Sequence, residues 1–244
     1  MNLFNRKRDR TPGKVLCTFD SEYGKFVIRN GLYRGIAARL YEVDGVRESA
    51  TYFDENKYEL VFDYTKSLCR LMDMNPSAER FLMFGGAGFQ FPKYLISHYP
   101  NKKIDVVEIN PLAVDIARKY FFLNDLEKDF GAESSGRLRI FIGDGMDFLT
   151  SYSEKYDCII NDAYHSNIPD EGLTSPKGIA LIRGHLNENG LYGFNLITSV
   201  KGVDSMPLFL TDRNLKYHFD DVVYHRCSPD VTLESIQNVL FIAK

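Results

Sequence analysis

Residues 80–88 read Arg-Phe-Leu-Met-Phe-Gly-Gly-Ala-Gly, and the predicted fold follows from this motif. A short apolar run ends abruptly in small residues, and a helical pattern follows over residues 90–99. This pattern predicts a buried strand that turns tightly into a helix. Glycines in such a turn permit positive φ angles and close approach of a ligand, while the helix N-terminus offers N–H groups to it. We therefore expect a nucleotide-binding turn formed by Gly85, Gly86, Ala87 and Gly88.

A second apolar run, residues 103–109, carries Glu108 near its end, 20 residues after Gly88. An acid at the tip of the second strand is the group that a nucleoside-binding α/β fold uses to bind the ribose hydroxyls. Glycines also end strands for purely structural reasons, so the turn alone would decide little. The turn and the acid together favour a nucleoside-binding α/β domain, with Glu108 and Ile109 in its site.

The composition bounds the class of protein. The chain has 244 residues, 44% of them hydrophobic, and a net charge of -3. This is enough for one sizeable core and a small subdomain, and the charge gives no reason to expect nucleic acid as a partner. No apolar run approaches the length of a membrane span, so we expect no membrane partner. The scattered cysteines show no metal-ligand spacing, so we expect no metal, no disulfide and a cytoplasmic location.

The chain divides into three predicted segments. Residues 1–14 are basic and polar and are expected to form a flexible tail, without the apolar region of a secretory signal. Residues 15–75 are predicted to form a β-hairpin subdomain plus a linking helix, the helix lying over residues 60–72. Tight turns are expected at Tyr23-Gly24, Asn30-Gly31 and Asp44-Gly45. Residues 76–244 are predicted to be the nucleoside-binding α/β domain.

From Arg80 onward, predicted strands and helices alternate, which indicates a parallel sheet covered on both faces. The last two predicted strands, residues 221–226 and 236–243, follow each other without a helix. A closing hairpin of this kind adds one antiparallel strand. We therefore predict an α/β fold with a seven-stranded doubly wound sheet, the class I methyltransferase-like Rossmann fold, beside a small N-terminal antiparallel β domain. A redox dehydrogenase fits the first two strands equally well but the closing hairpin less well.

Two more predicted strands end in acids. Asp144 lies between Gly143 and Gly145, where it can accept a hydrogen bond from an adenine amine or cap the following helix, and the two roles are compatible. Asp162 follows a strand expected to be buried, so it can accept a proton or hold a cation, or merely cap the next loop. Tyr164 and His165 are candidates to share proton transfer, although a lone loop histidine is often a plain surface residue.

The successive motifs resemble those of the spermidine and spermine synthase family. They are Phe-Gly-Gly-Ala-Gly at 84–88, Val-Val-Glu-Ile-Asn-Pro at 106–111, Gly-Asp-Gly-Met-Asp-Phe-Leu at 143–149 and Tyr-Asp-Cys-Ile-Ile-Asn-Asp-Ala at 156–163. The resemblance implies that Glu108 holds the ribose, Asp144 the adenine, and that Asp162 deprotonates an amine. It also implies S-adenosylmethionine or its decarboxylated form as co-substrate, a small-molecule acceptor such as a polyamine, and a homodimer paired through the N-terminal sheet.

The chain departs from the family pattern at three positions. The family has a second acid three residues beyond the base, an acid in the glycine loop and a glutamine in the hairpin, where this chain has His165, Gly88 and Glu48. Fewer carboxylates in these positions reduce the attraction for a polycation. We expect a spermidine-synthase-like transferase that moves an aminopropyl or methyl group to an amine. A methyltransferase with an unknown substrate and a non-catalytic nucleoside-binding protein remain alternatives.

Overall fold

The N-terminal part of the computed structural model is a four-stranded antiparallel sheet. The structure describes residues 10–165 and 168–244, so most of the tail predicted at residues 1–14 lies outside the described residues. The sheet has the order β1-β2-β3-β4 and consists of β1 (Val15–Ser21), β2 (Gly24–Tyr33), β3 (Ile36–Val43) and β4 (Val46–Thr51). This sheet confirms the predicted small antiparallel β domain.

Two of the three predicted turns in this sheet are confirmed. The chain reverses before Gly24, and again at Asp44-Gly45, where φ is 50° and 83°. The turn predicted at Asn30-Gly31 is wrong, because both residues pair with β3 inside the long strand β2. The buried Asn30 side chain accepts a hydrogen bond from Arg39 Nε at 3.4 Å, so tertiary contacts override the local turn preference.

The segment that links the two sheets contains short helices. A 3-10 turn covers Asp54–Asn56, and α1 (Asp63–Ser67) and α2 (Cys69–Met74) follow. The single helix predicted over residues 60–72 is therefore divided at Leu68, whose N–H bonds to the Thr65 carbonyl in a tighter turn. The N–H of Val61 bonds to the Gln90 side chain at 3.0 Å instead of continuing a helix. This bond joins the linking segment to the start of the helix that begins at Gln90.

The second sheet has seven strands in the order β12-β13-β11-β8-β5-β6-β7. Its strands are β5 (Arg80–Phe84), β6 (Lys103–Glu108), β7 (Leu138–Ile142), β8 (Tyr156–Asn161), β11 (Leu186–Thr198), β12 (Val222–Arg226) and β13 (Gln237–Ala243). In this sheet β13 runs opposite to the other six strands, pairing antiparallel with both β12 and β11, while the remaining neighbours pair parallel. A short ladder of β9 (Tyr164–His165) and β10 (Ile168–Pro169) stands apart. The predicted seven-stranded sheet with one antiparallel member is confirmed.

Helices cover both faces of this sheet, as a doubly wound fold requires. They are α3 (Gln90–His98), α4 (Pro111–Tyr120), α5 (Leu123–Phe130), α6 (Gly145–Ser151), α7 (Glu171–Thr174), α8 (Pro176–His185) and α9 (Met206–His218), the last preceded by a 3-10 turn at Val203–Ser205. Alternate residues of β5 point to opposite cores. Phe81 and Met83 pack in one core, and Leu82 and Phe84 pack in the other.

The two sheets are tied together by the buried side chain of Lys93 on α3. Its Nζ donates to the Phe121 carbonyl at 2.7 Å, to Thr51 Oγ1 at 3.3 Å and to the Lys57 carbonyl at 3.5 Å. Burial lowers the pKa of Lys93 to about 7. These bonds hold β4 beside the glycine turn. The domain boundary between residues 75 and 76 stays a prediction, and within the described ranges no helix is long and apolar enough to cross a bilayer.

Candidate active site

A cavity of about 380 Å³ opens at the carboxyl ends of β5, β6 and β8, facing the β3–β4 hairpin. The predicted site residues that line it are Glu48, Gly85, Ala87, Glu108, Ile109, Asp144, Gly145, Asp162, Tyr164 and His165. Gly86 and Gly88 were predicted to bind the nucleoside directly, but they are not part of the cavity wall. The fold therefore brings most of the predicted residues together in one place.

The glycine turn is held by the protein's own contacts. Gly85 has φ of 86°, and a Cβ there would lie 2.4 Å from the Asp162 carbonyl oxygen, so no side chain fits. The N–H groups of Gly86 and Ala87 donate to Glu108 Oε2 at 2.7 and 3.1 Å. The sequence predicted free N–H groups facing a ligand at this turn. These two are already used by Glu108.

Glu108 fixes the floor of the cavity. Its side chain is buried, and besides the two bonds to the glycine turn its Oε1 accepts from the Asn110 N–H at 2.9 Å. An ionised carboxylate offers about four lone-pair sites, so about one remains for a ligand hydroxyl. The carboxylate therefore stabilises the turn, and its predicted contact with a ribose stays a prediction.

Gly88 packs against the hairpin of the N-terminal sheet. A Cβ at this position would lie 2.4 Å from Ser49 Oγ and 2.8 Å from Ser49 Cβ. No acidic side chain fits here without moving β4. The neighbouring residue on β4 is Glu48, whose carboxylate reaches the cavity from the opposite side. The glycine turn has no room for an acid at Gly88, and the acid on this side of the cavity is Glu48 of the hairpin.

Adding a methyl group at Gly88 tests this packing. We expect Gly88→Ala to lower the free energy of unfolding by about 1–3 kcal/mol, because the new Cβ overlaps a short side chain next to the backbone. Urea unfolding followed by circular dichroism measures the change. Ser49→Gly removes both overlapping atoms, so Gly88→Ala should cost less in that background. An equal cost with and without the Ser49 side chain would contradict the packing argument.

Asp144 caps a helix at the adenine end of the predicted site. Its Oδ1 accepts from the N–H groups of Met146 and Asp147 at 2.7 and 3.0 Å, which closes the start of α6. Asp170 on the same wall caps α7 in the same way, with its Oδ1 2.8 Å from the Leu173 N–H. The capping role foreseen for Asp144 is confirmed, and its hydrogen bond to adenine stays a prediction.

Asp162 lies at the end of β8, surrounded by protein on all sides but the cavity. Its Oδ1 accepts from Asn195 Nδ2 at 2.8 Å, and the Tyr64 hydroxyl, which donates to the Glu48 carbonyl at 3.4 Å, lies near its side chain. Burial raises the pKa of Asp162 to about 7, and the neighbouring donors of Asn195 and Tyr64 act in the opposite direction. A carboxylate with this pKa is suited to accept a proton near neutral pH.

Glu48 adds a second carboxylate to the cavity that holds Asp162. Burial, followed by the charges of Asp162 and Glu108, raises the pKa of Glu48 to about 7. None of the ion pairs found in the described part of the chain involves either carboxylate. An ammonium bound between them would favour the ionised form of both. This end of the cavity therefore suits an amine.

Tyr164 and His165, predicted to share proton transfer, have different surroundings in the structure. The Tyr164 hydroxyl donates to the Asn195 carbonyl at 2.7 Å and accepts from the Ile197 N–H at 3.1 Å. Burial raises the pKa of this phenol, so the geometry favours a structural contact with β11. His165 lies exposed at the cavity rim. A catalytic role for either residue stays a prediction.

Several polar residues that were not predicted from the sequence also line the site, among them Tyr64, Asn195 and Asn238. Tyr64 lies in the segment predicted as the linking helix, and Asn195 and Asn238 stand within apolar strands. A polar amide inside an apolar strand is a usable signal, because burying it requires a hydrogen-bond partner. Over residues 10–165 and 168–244, no group of three or more His, Cys, Asp and Glu side chains is arranged to hold a metal ion.

A comparison with protein-family models decides the family. The spermine/spermidine synthase domain matches residues 56–195. The chain belongs to the spermine/spermidine synthase family. This confirms the resemblance that the sequence motifs carry, and the match covers the glycine turn, Glu108, Asp144 and Asp162.

Individual relatives share about a quarter of their residues with this chain over the matched regions. A polyamine aminopropyltransferase of Vibrio vulnificus is 26% identical over 160 residues, which cover 64% of this chain and 50% of the relative. An eEF1A lysine and N-terminal methyltransferase of Mus musculus is 28% identical over 127 residues, or 48% of this chain and 17% of the relative. The chain thus spans half or less of the length of these two relatives.

The fold recurs in a solved structure of the family. A probable spermidine synthase from Corynebacterium glutamicum superposes with a TM-score of 0.77 and 19% identity, covering 93% of this chain and 79% of that protein. At this identity the likeness supports the fold alone. It confirms the arrangement of a methyltransferase-like sheet beside a small β domain.

Proposed function

We propose that this family member transfers an aminopropyl group from decarboxylated S-adenosylmethionine to an amine acceptor. The observation that carries the proposal is that two carboxylates, Glu48 and Asp162, line the same cavity and lie near enough for their charges to interact. Two acids in a partly buried cavity favour a cationic ligand. The Vibrio vulnificus relative, named a polyamine aminopropyltransferase, supports a polyamine as acceptor.

The reaction needs a base because a protonated amine has no lone pair. In the proposed step Asp162 accepts the proton of the acceptor ammonium. The amine nitrogen then attacks the propyl carbon next to the sulfonium, so that a C–N bond forms and the C–S bond breaks. The electron pair of the broken bond stays on sulfur and gives neutral methylthioadenosine. The protein supplies orientation, and the sulfonium charge makes the leaving group good.

Glu48 is proposed to select the donor. The decarboxylated donor ends in an ammonium, whereas intact S-adenosylmethionine adds a carboxylate beside it. A carboxylate near Glu48 and Asp162 would meet like charges in a partly buried cavity, which costs binding energy. Because Gly88 leaves no room for an acid in the glycine loop, Glu48 is the group available to bind the donor ammonium.

A methyltransferase remains the second candidate because Arg47 also lines the cavity. Its side chain is about half exposed, at 48%, and its Nε lies 3.7 Å from Glu42 Oε1. A guanidinium at this position could bind the carboxylate of intact S-adenosylmethionine. The Mus musculus relative, named an eEF1A lysine and N-terminal methyltransferase, supports methyl transfer as the alternative.

Calorimetric titration distinguishes the two candidates. We expect the purified protein to bind decarboxylated S-adenosylmethionine at least about tenfold more tightly than the intact donor, equivalent to about 1.4 kcal/mol. Glu48→Gln should reduce this preference because it removes the repulsion. The matched control is Glu22→Gln, an exposed acid in the turn between β1 and β2 of the same domain, which should leave the preference unchanged. Tighter binding of the intact donor would favour methyl transfer, and binding of neither donor would contradict both candidates.

We propose a homodimer paired through the N-terminal sheet and a cytoplasmic location. Analytical ultracentrifugation tests the first, with a sedimenting mass of twice 28.0 kDa as the expected result. A single species of monomer mass at micromolar concentration would contradict it.

A further inference from the structure

We infer that Asn238 is a positioning residue for Asp162: acting through Asn195, it keeps the amide donor of Asn195 directed at the carboxylate that accepts the proton. This inference rests on the proposed function, in which Asp162 is the base. Asn238 itself lies outside the family motifs. It concerns the three neighbouring strands β8, β11 and β13, each of which contributes one member of a hydrogen-bonded chain.

The chain of bonds runs across the sheet from its antiparallel strand to the base. Asn238 Nδ2 on β13 donates to Asn195 Oδ1 on β11 at 3.0 Å. Asn195 Nδ2 donates to Asp162 Oδ1 at 2.8 Å. Asn195 is 3% exposed, and its carbonyl is held by the Tyr164 hydroxyl. The strand register supports this placement, since Asn238 pairs with Ile197, two residues beyond Asn195.

The importance of Asn238 follows from the two-sided chemistry of an amide. Asn195 can turn either its oxygen or its NH₂ group toward Asp162. The donor from Asn238 engages the oxygen, so the NH₂ group faces Asp162. A hydrogen bond donated to the ionised carboxylate favours the form that can take up a proton. Without Asn238, the Asn195 oxygen can face Asp162, and that contact is favourable only when Asp162 is already protonated.

Several other groups surround Asp162 and must be separated from this effect. Titratable neighbours on other elements are Glu48 of β4, Tyr64 of α1, Tyr164 of β9 and Cys227 after β12, and His165 lies at the rim. Burial raises the pKa of Tyr64 and Tyr164, and raises that of Cys227 to about 11, so all three stay neutral near pH 7. Glu48 changes charge in the same range as Asp162, and its influence needs a control.

The test is the pH profile of kcat/KM for Asn238→Leu, which removes the donor and keeps the same branched skeleton of four side-chain heavy atoms. We expect kcat/KM to fall about 3- to 10-fold at pH 6.5 and to change less than about twofold at pH 9, because only the acid limb moves upward. The same shift should occur in a Glu48→Gln background. If Asn238→Leu does not fold, Asn238→Ser removes the same bond with a small polar side chain. An unchanged profile, or an equal loss at every pH, would overturn the inference.

A second readout separates this inference from the proposed function. Failure of the wild-type protein to release methylthioadenosine with any amine would count against the function alone. The ¹³C resonance of the Asp162 carboxyl group, assigned with Asp162→Asn, reports its titration without turnover. We expect its midpoint to rise in Asn238→Leu relative to the wild type. The same midpoint in both proteins would overturn the inference whether or not the enzyme is active.

Discussion

Replacement of Asp162 by asparagine is expected to lower kcat for amine-dependent aminopropyl transfer by about 10²- to 10⁴-fold. The amide has nearly the shape of the carboxylate and can still accept the bond from Asn195 Nδ2. It cannot take up a proton, so the acceptor stays an unreactive ammonium. Steady-state assays of methylthioadenosine release measure the effect. A loss of less than about tenfold would mean that another group is the base.

The pH dependence of kcat/KM and of stability gives a second, independent test of the role of Asp162. Burial raises the pKa of Asp162 to about 7, so wild-type kcat/KM should fall about tenfold per pH unit below that value. A carboxyl group whose pKa is higher in the folded than in the unfolded state stabilises the protein at low pH. That contribution is lost as the pH rises from about 4 through 7. Asp162→Asn should therefore melt at a higher temperature than the wild type at pH 8, which would show that its inactivity is not unfolding.

Removal of Glu108 is the second change with a large expected effect. Glu108→Ala leaves the N–H groups of Gly86, Ala87 and Asn110 without their carboxylate. We expect the free energy of unfolding to fall by about 2–4 kcal/mol, because buried donors lose charge-assisted bonds. Methylthioadenosine should bind at least about 100-fold more weakly, since both the turn and the proposed ribose contact are lost.

Glu108→Gln provides the matched control for this prediction. Glutamine keeps the volume and one acceptor, but its NH₂ group must face at least one of the N–H donors that the carboxylate accepts. Its stability and its affinity for methylthioadenosine, measured by urea unfolding and calorimetry, should lie between those of the wild type and Glu108→Ala. Wild-type stability in Glu108→Ala would show that Glu108 does not hold the turn.

The large sheet could be predicted from the sequence because its signals are local. Apolar runs such as residues 81–84 and 157–161 are bounded by glycines, acids and helical patterns, and each run became a strand. The error at Asn30-Gly31 has the opposite origin. A turn dipeptide such as Asn-Gly allows the backbone conformation of a tight turn but does not require it. Here the strand continues through Asn30 and Gly31 because both pair with β3.

Site residues at the ends of strands could be predicted from the sequence. Site residues whose contacts depend on the order of the strands or on the packing of the two sheets could not. Glu108, Asp144 and Asp162 follow parallel strands, whose carboxyl ends meet at one edge of the sheet. The contacts of Asn195 and Asn238 depend on β11 lying between β8 and β13, which no local pattern specifies. The position of Glu48 over the cavity likewise depends on how the N-terminal sheet packs on the glycine turn.

A product assay shows whether this protein moves an aminopropyl group to an amine, as we propose. The purified protein is incubated at pH 8 with decarboxylated S-adenosylmethionine and a diamine, and methylthioadenosine is quantified by chromatography. We predict release that requires the diamine, is matched mole for mole by an aminopropylated product, and is lost in Asp162→Asn. No methylthioadenosine from the decarboxylated donor, together with amine-dependent S-adenosylhomocysteine from the intact donor, would contradict the claim.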